Sequence, residues 1–334
     1  MAMTPDQIRA ARQDDPKTRA RDFAAAHGIA EAELVAALGG IRIDSHPDQL
    51  FPLLEPLGEV LALTRNESCV AEKVGTYTDF HPGQHASMTV GAKIDMRMFP
   101  AHWVHGFAVT DGDKRSIQVF DAAGDAIHKV HLRPASDVAA FDALVAALRL
   151  PDAPIAPLPR TPVEGPKADP ARADELRAEW DRMTDTHQFL KLTRKLKMNR
   201  LGAYRIVGAP RAVPLEPRAM TEVLELASAR KVPVMIFVGN TGCIQIHGGP
   251  VDKVVPMGPW INVLDPGFDL HLRQDRVAEV WLVTKPTQRG PAISVEAFDH
   301  DGALIAQVFG YRKNTASEPW EELTSALTRT LEIA

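Results

Sequence analysis

Two copies of one pattern run through this 334-residue chain, and that duplication limits its fold more than any other feature. "NESCV" (66–70) recurs as "NTGCI" (240–244), with both the Asn and the Cys displaced by 174 positions. "IDMRM" (94–98) recurs as "FDLHL" (268–272) at the same offset, and "IQVFDAAGDAIHKV" (117–130) recurs as "VEAFDHDGALIAQV" (295–308) at 178. Any one pairing is within reach of chance; a shared order at a nearly constant offset is not. Each copy then closes on an amphipathic segment, "DVAAFDALVAALRL" (137–150) and "ASEPWEELTSALTRTLEIA" (316–334), read as a helix.

Between the copies lies "PDAPIAPLPRTPVEGPKADP" (151–170), with seven prolines in twenty residues. Proline fixes φ and lacks an N–H, so this segment is expected to be an extended, semi-rigid linker. The predicted organisation is a first repeat over 1–150, the linker over 151–170 and a second repeat over 171–334. "FDAAGDAI" and "FDHDGALI" read as hairpins turning on a glycine. A strand-rich middle with helices at either end predicts an α+β class, each repeat a large antiparallel sheet with flanking helices, rather than alternating βαβ units. Neither GxGxxG nor a P-loop is present, so a nucleotide-binding fold has no support.

Composition excludes several functions. At 45% hydrophobic and 24% charged residues the chain is globular rather than disordered. Its net charge of −5 argues against a protein held to nucleic acid by phosphate contacts. Cys69 and Cys243 make no CxxC and no disulfide framework. Their equivalent repeat positions suggest small core residues, and a reducing cytoplasm is expected. The N-terminus is charged with no apolar core of a signal peptide, and the longest apolar run, "VPVMIFVG" (232–239), is strand-length, so no membrane insertion is expected.

The segment "DTHQFLKLTRKLKMNRLGAYR" (185–205) carries the best candidate site. Asp185 with Gln188 resembles a capping box, predicting a helix over 186 to about 196. On that helix Phe189, Leu192 and Leu196 share an apolar face, while His187, Lys191 and Arg194 lie on the opposite one. His187 is therefore no core histidine, which leaves a plain surface histidine or a ligand. The helix N-terminus disfavours added positive charge and so favours the neutral, metal-ligating imidazole. No His or carboxylate follows at i+3 or i+4, so an HExxH zinc site is excluded. His81 and His85 are split by Pro-Gly and make a poor zinc pair. His102 and His105 alternate about Trp103 on an expected strand and read as structural.

Several motifs, in order and across essentially the whole chain, resemble the cytoplasmic haem-utilisation proteins of the HemS/ChuS/HmuS type, also called hemin-degrading factors or hemin transport proteins. They are "DTHQF" with its downstream arginine, "DMRMFPAHWVHGFAV", "WLVTKPT" and "AFDHDGALIAQVFGYR". The resemblance implies haem (iron protoporphyrin IX) as cofactor, with His187 the axial iron ligand and Arg97 on the other haem face. A haem ligand brings its own in-plane nitrogens and carboxylates, which suits one histidine among cations. Arg200 and Lys285 would pair with the propionates, and Phe99 and Phe237 would contact the porphyrin plane. Gln307, Phe309 and Tyr311 match the strand lining the cleft. Relatives commonly carry Tyr at the position of Phe309 and Gln at that of Tyr311, so apolar contact is the firmer expectation there. By spacing alone these remain ordinary strand phenylalanines and surface charges, and Asp95, Arg97 and Phe99 simply share one strand face. Arg97 corresponds to His271 in the second repeat, a divergence expected if only one copy binds.

The resemblance implies haem as partner, with a haem importer and a downstream haem oxygenase as further candidates, in a monomer or homodimer. The first expectation is a haem-binding protein for trafficking or delivery. The second is a haem-degrading enzyme that opens the ring with an electron donor, for which Arg97 is the candidate catalytic residue. A two-repeat structural protein without haem fits the composition but not the motifs.

Overall fold

The computed structural model describes residues 3–311 and 318–332, with side chains to 327 in the last stretch. The chain divides into two compact units: residues 1–65, 71–161 and 239–245 in the first, and 66–70, 162–238 and 246–334 in the second. This differs from a contiguous split in one respect. Each unit incorporates the Asn-x-x-Cys turn of the opposite repeat.

In chain order the first repeat contains α1 (Pro5–Asp14), α2 (Ala20–His27), α3 (Glu31–Ala37), β1 (Ile41–Ile43), α4 (Pro47–Leu54), β2 (Val60–Arg65), β3 (Cys69–Gly75), β4 (Phe80–His81), β5 (Ser87–Val90), β6 (Asp95–Met98), β7 (His105–Asp111), β8 (Lys114–Phe120), β9 (Ala126–Leu132) and α5 (Val138–Leu148). The second contains α6 (Ala173–Asp181), α7 (Gln188–Lys195), α8 (Arg200–Val207), β10 (Ala212–Leu215), α9 (Ala219–Arg230), β11 (Val234–Gly239), β12 (Cys243–Gly249), β13 (Val254–Met257), β14 (Trp260–Asp265), β15 (Phe268–Arg273), β16 (Glu279–Lys285), β17 (Ala292–Phe298), β18 (Leu304–Gly310) and α10 (Glu318–Glu332). The expected closing helix over 316–334 thus corresponds to α10, with 316, 317, 333 and 334 outside the described residues.

Among the described residues the strands belong to large antiparallel sheets, as expected of the α+β class. In the first unit β1, β7, β8, β9 and β2 lie side by side, and β4, β5 and β6 form a meander. In the second, β10, β16, β17, β18 and β11 repeat the first arrangement and β13, β14 and β15 the second. The duplication therefore holds strand by strand. Alternation in sequence becomes alternation in burial: β2 and β11 both read buried–intermediate three times over, so one face of each packs into a core.

The two Phe-Asp hairpins are built alike. Asp121 accepts from the N–H groups of Ala123 and Asp125, and Asp299 from those of Asp301 and Ala303. Gly124 (φ 78°) and Gly302 (φ 89°) supply the left-handed residue each turn needs. Asp137 caps α5 by accepting from the Ala140 N–H at 3.0 Å. Cys69 and Cys243 are free and buried, and burial pushes the Cys243 thiol up to about 12. One hydrophobic cluster surrounds Phe51 and Tyr77 in the first unit and takes in Ile117 and Val130 of its strands; another surrounds Trp180 and Tyr204 in the second and takes in Trp281 and Val283.

The Pro-rich segment has no regular structure over 151–169 but is pinned down. Arg160 makes a two-point ion pair with Asp125 (2.6 and 2.8 Å), while Lys167 and Asn199 exchange hydrogen bonds of 3.0 Å. Gly202 permits the latter, because a Cβ there would sit 2.0 Å from the Lys167 carbonyl oxygen. His102, expected on a strand with His105, instead ends a 3-10 turn (Pro100–His102) and is exposed. Pro100 favours the turn, and only His105 begins β7.

Buried His128 bonds to Thr64 Oγ1 (2.8 Å) and the Tyr77 hydroxyl (2.6 Å), and burial holds its pKa down at about 3. Its folded pKa lies below the unfolded value near 6.5, so the unfolded chain binds more protons between them. His128 therefore supports the first unit fully only above about pH 6.5, and that support is lost as pH falls toward 3. Between pH 7 and pH 5 it should cost about 2 kcal/mol of stability. Urea titrations of wild type and His128→Gln at both pH values should show a steeper pH loss in wild type.

Candidate functional site

His187 stands at the N-terminal boundary of α7, not inside its first turn. The expected Asp185–Gln188 capping box does not form. Gln188 turns back to Thr184, accepting from its N–H at 2.9 Å and donating to its hydroxyl at 3.1 Å. The Asp185 carboxylate is left to serve His187, taking its backbone N–H and its Nδ1 at 2.7 Å each. These two hydrogen bonds hold the Asp185 carboxyl below the usual carboxylate range. A carboxylate on Nδ1 fixes the proton there and leaves the lone pair on Nε2. The imidazole is 94% exposed.

The helix behind it is firmly seated. Phe189, Leu192 and Leu196 are buried and Lys191 and Arg194 exposed, as the spacing predicts. Phe189 stacks on Tyr204 (5.5 Å between centroids, 25°) and meets Trp180 edge-on at 5.1 Å. Burying a phenylalanine here stabilises the seat by about 2–3 kcal/mol.

Strand register then gathers most of the remaining candidates. Glu296 pairs with Trp281 and Gln307, Ser294 with Val283 and Phe309, and Phe237 with Gln307. Paired residues share a face, and faces alternate along a strand, so Lys285, Ser294, Glu296, Gln307, Phe309 and Phe237 lie on one side of the sheet. Phe237 and Phe309 meet edge-on at 5.2 Å, both half-buried.

At the β16–β17 end of that face one carboxylate serves two cations. Glu296, wholly buried, accepts from Lys285 Nζ (3.0 Å) and Ser294 (2.8 Å) on Oε1, and from Arg200 Nη1 (3.0 Å) and Tyr204 (2.9 Å) on Oε2. The Tyr204 hydroxyl in turn accepts from Lys285 at 2.9 Å and Arg200 at 3.1 Å. Burial alone would raise the Glu296 carboxyl; Lys285 and Arg200 together outweigh it and hold the pKa at about 2. Burial lowers Lys285 to about 8, because it shares its one counter-ion with Arg200 and is repelled by it. Tyr204 is pushed up, first by burial and then by Glu296. The cluster carries a surplus positive charge at neutral pH.

Lys285 is not an ordinary surface charge: it is 3% exposed, enclosed by Trp180, Phe189 and Tyr204 with its ammonium 4.8 Å from the Phe189 ring centre. Its strand position turns it inward beneath α8, and Arg200, with a 23% exposed side chain, is the member that reaches solvent. Arg97 and Phe99 belong to the first unit. Arg97 is ion-paired with Asp95 and donates to the Met96 carbonyl at 2.9 Å, while Met96 and Met98 are buried on the other face of β6. The Phe99 N–H donates to the Gly242 carbonyl at 2.8 Å. Its repeat counterpart to Arg97, His271, is committed to Asn262 at 2.6 Å. Tyr311 lies over Gly248, and Arg312 is outside the described residues.

Sequence reading passed over Glu296, Tyr204 and Ser294. The signals were an acidic residue two positions from a serine in an apolar strand, and a tyrosine four residues after Arg200 on α8. Among the described residues no three His, Cys, Asp or Glu side chains gather as a metal site, so a metal at His187 would have to bring ligands of its own. Nor is any described helix long and apolar enough to cross a membrane.

The family model for the haemin-degrading HemS.ChuX domain matches twice, over residues 28–148 and 197–327. The chain belongs to the HemS family. Hemin transport protein HmuS of Yersinia pestis is 38% identical over 95% of each chain. PhuS of Pseudomonas aeruginosa, described as a heme-binding protein, is 39% identical with a TM-score of 0.92, covering 97% of this chain and 99% of its own. ChuS of E. coli, described as a heme oxygenase, is 34% identical with a TM-score of 0.87, covering 96% and 99%. The two family matches fall within the two repeats read from the sequence; the second match includes the Glu296 cluster, while Asp185 and His187 lie in the second repeat but before the matched residues.

Proposed function

We propose that this chain binds haem, with His187 Nε2 as the axial iron ligand, and serves in the cytoplasm to hold and pass on haem after uptake. The observation that carries this is the exposed imidazole whose Nδ1 is committed to Asp185, leaving a lone pair on Nε2. Haem supplies the in-plane nitrogens that the protein lacks. Phe237 and Phe309 offer apolar area for the ring, and Arg200 is the cation for a propionate. Gln307, between them on the same face, would contact the ring edge. Arg97 enters on the opposite haem face from the family resemblance alone. The description of PhuS as heme-binding and of HmuS as a hemin transport protein supports this reading.

Titrating hemin into wild type and His187→Ala tests it. The expected result is a shifted Soret band in the variant and a loss of affinity of about tenfold or more; an unchanged spectrum and affinity would sink the ligand assignment. Asp185→Asn should keep the fold and weaken binding by about 10–100-fold, since it removes the group that orients the imidazole.

The description of ChuS as a heme oxygenase favours a second reading, ring opening with an external electron donor at the same site. Supplying reductant with catalase present separates the two. Ring opening that survives peroxide removal supports an enzyme, and its disappearance points to coupled oxidation on a carrier.

A further inference from the structure

We propose that Tyr77 and His128 form a redox-active pair in the first unit: Tyr77 gives an electron to a one-electron oxidant stronger than a phenol, and its hydroxyl proton passes to His128 Nε2. The proposal goes beyond haem binding and does not rest on it.

The hydrogen bonds around His128 run in one direction. Cys243 Sγ donates to the Ile127 carbonyl at 3.5 Å, so toward Thr64 Oγ1, 3.6 Å away, the sulfur accepts. Thr64 Oγ1 then accepts from His128 Nδ1 at 2.8 Å, which leaves Nε2 to accept from the Tyr77 hydroxyl at 2.6 Å. Burial pushes the Tyr77 phenol up, so it keeps its proton until an electron is lost. An oxidised phenol is a far stronger acid than a buried imidazolium, and the proton then moves along a hydrogen bond already made. The products are a neutral phenoxyl radical on Tyr77 and an imidazolium on His128. Both imidazolium N–H groups keep acceptors, Tyr77 and Thr64, and the electron goes to the oxidant. Trp103, 6.3 Å from the His128 ring, is harder to oxidise than a phenol with a waiting base, so the radical rests on Tyr77. Phe51 meets the Tyr77 ring edge-on at 5.3 Å, and Tyr77 is 2% exposed, which keeps solvent from it.

The fold does not require these polar groups. By the repeat offsets of 174 and 178, Thr64, Tyr77 and His128 correspond to Val238, Val251 and Ala306, all buried, while Cys243 corresponds to Cys69. The second repeat thus fills the same places with apolar side chains, which carry no cost of burying polar groups. The first repeat bears that cost and sets a base against a phenol.

The test supplies the oxidant by flash photolysis of tris(bipyridine)ruthenium with persulfate, using the full chain without haem at neutral pH. Electron paramagnetic resonance reads the tyrosyl radical, and transient absorption its rate of formation. Wild type should give a tyrosyl signal that Tyr77→Phe loses, since that variant keeps the ring and removes the proton. In His128→Gln the radical should form about a hundredfold more slowly, because an amide accepts the hydrogen bond but not the proton. Thr64→Val, which borrows the residue of the second repeat, takes the acceptor from Nδ1 and should slow it about tenfold. Circular dichroism checks each fold, and if His128→Gln does not fold, Thr64→Val decides the role of the base. An undiminished signal in Tyr77→Phe would place the radical on Tyr204 or Tyr311 and overturn the proposal. So would a wild type that yields no tyrosyl signal, or folded variants at His128 and Thr64 that form the radical as fast as wild type.

Discussion

Glu296→Ala is expected to destabilise the protein by about 3–5 kcal/mol, because it leaves a buried lysine without its counter-ion. Two cations, a tyrosine and a serine converge on this one carboxylate. Arg200 can turn to solvent, but Lys285 cannot without tearing α8 and α7 from the sheet. The variant must then release the Lys285 proton, which gives a diagnostic pH dependence. Burial already lowers Lys285 to about 8 in wild type, and loss of Glu296 lowers it further. A base whose folded pKa lies below its unfolded value of 10.5 leaves the unfolded chain holding more protons between the two, so stability rises with pH across that interval. Urea midpoints for Glu296→Ala should therefore climb toward wild type as pH is raised through that window. The paired Lys285→Met/Glu296→Gln change should cost much less, since it removes the charge along with its partner.

Asn240→Ala is expected to cost about 3 kcal/mol, from four hydrogen bonds lost at one turn. Its side-chain oxygen accepts from the N–H groups of Gly242 (2.9 Å) and Cys243 (3.1 Å), and its amide donates to the carbonyls of Arg65 (2.9 Å) and Ile127 (2.8 Å). Asn240→Asp should fare no better, because a carboxylate would face two carbonyl oxygens with nothing to donate. Asn66 does the same work at the equivalent place, accepting from Ser68 and Cys69 and donating to the Ile305 carbonyl at 2.8 Å. Denaturation of both alanine variants, monitored by tryptophan fluorescence, checks the claim; a loss well under 1 kcal/mol in both would refute it.

These asparagines also explain why the duplication was legible. Each repeated residue that survived performs a local job that no other side chain does as well: an Asn bonding on both sides of a turn, a Cys filling a small buried space, an Asp closing a hairpin. The apolar face of α7 was legible for a similar reason, since Phe189, Leu192 and Leu196 declare it by spacing. The start of that helix was not, because Asp185 had two possible partners and only geometry assigns it to His187. The burial of Lys285 was not legible, for a deeper reason. Its burial depends on α6, α7 and α8, which lie some eighty to one hundred residues earlier in the chain. Glu296 was missed likewise, since an acidic residue in a strand announces a partner without saying which. Register also shows where the two repeats differ. Gln118, paired with Phe107 and Lys129, stands where the second repeat has Glu296, and Glu31 of α3 occupies Lys129 instead.

The exchanged turns have a historical consequence. Residues 239–245 complete the first unit and 66–70 the second, so neither repeat encodes all of the unit it dominates. A gene for one repeat would have made a chain with a missing turn and a spare one, which a second identical chain could supply. Once the two copies were joined, each was free to drift, provided it kept the turn its neighbour needed. The second repeat gathers its charges on Glu296 and the first on Glu31, yet neither repeat can be deleted. The first repeat is also the donor of five residues, 66–70, without which the second unit is incomplete.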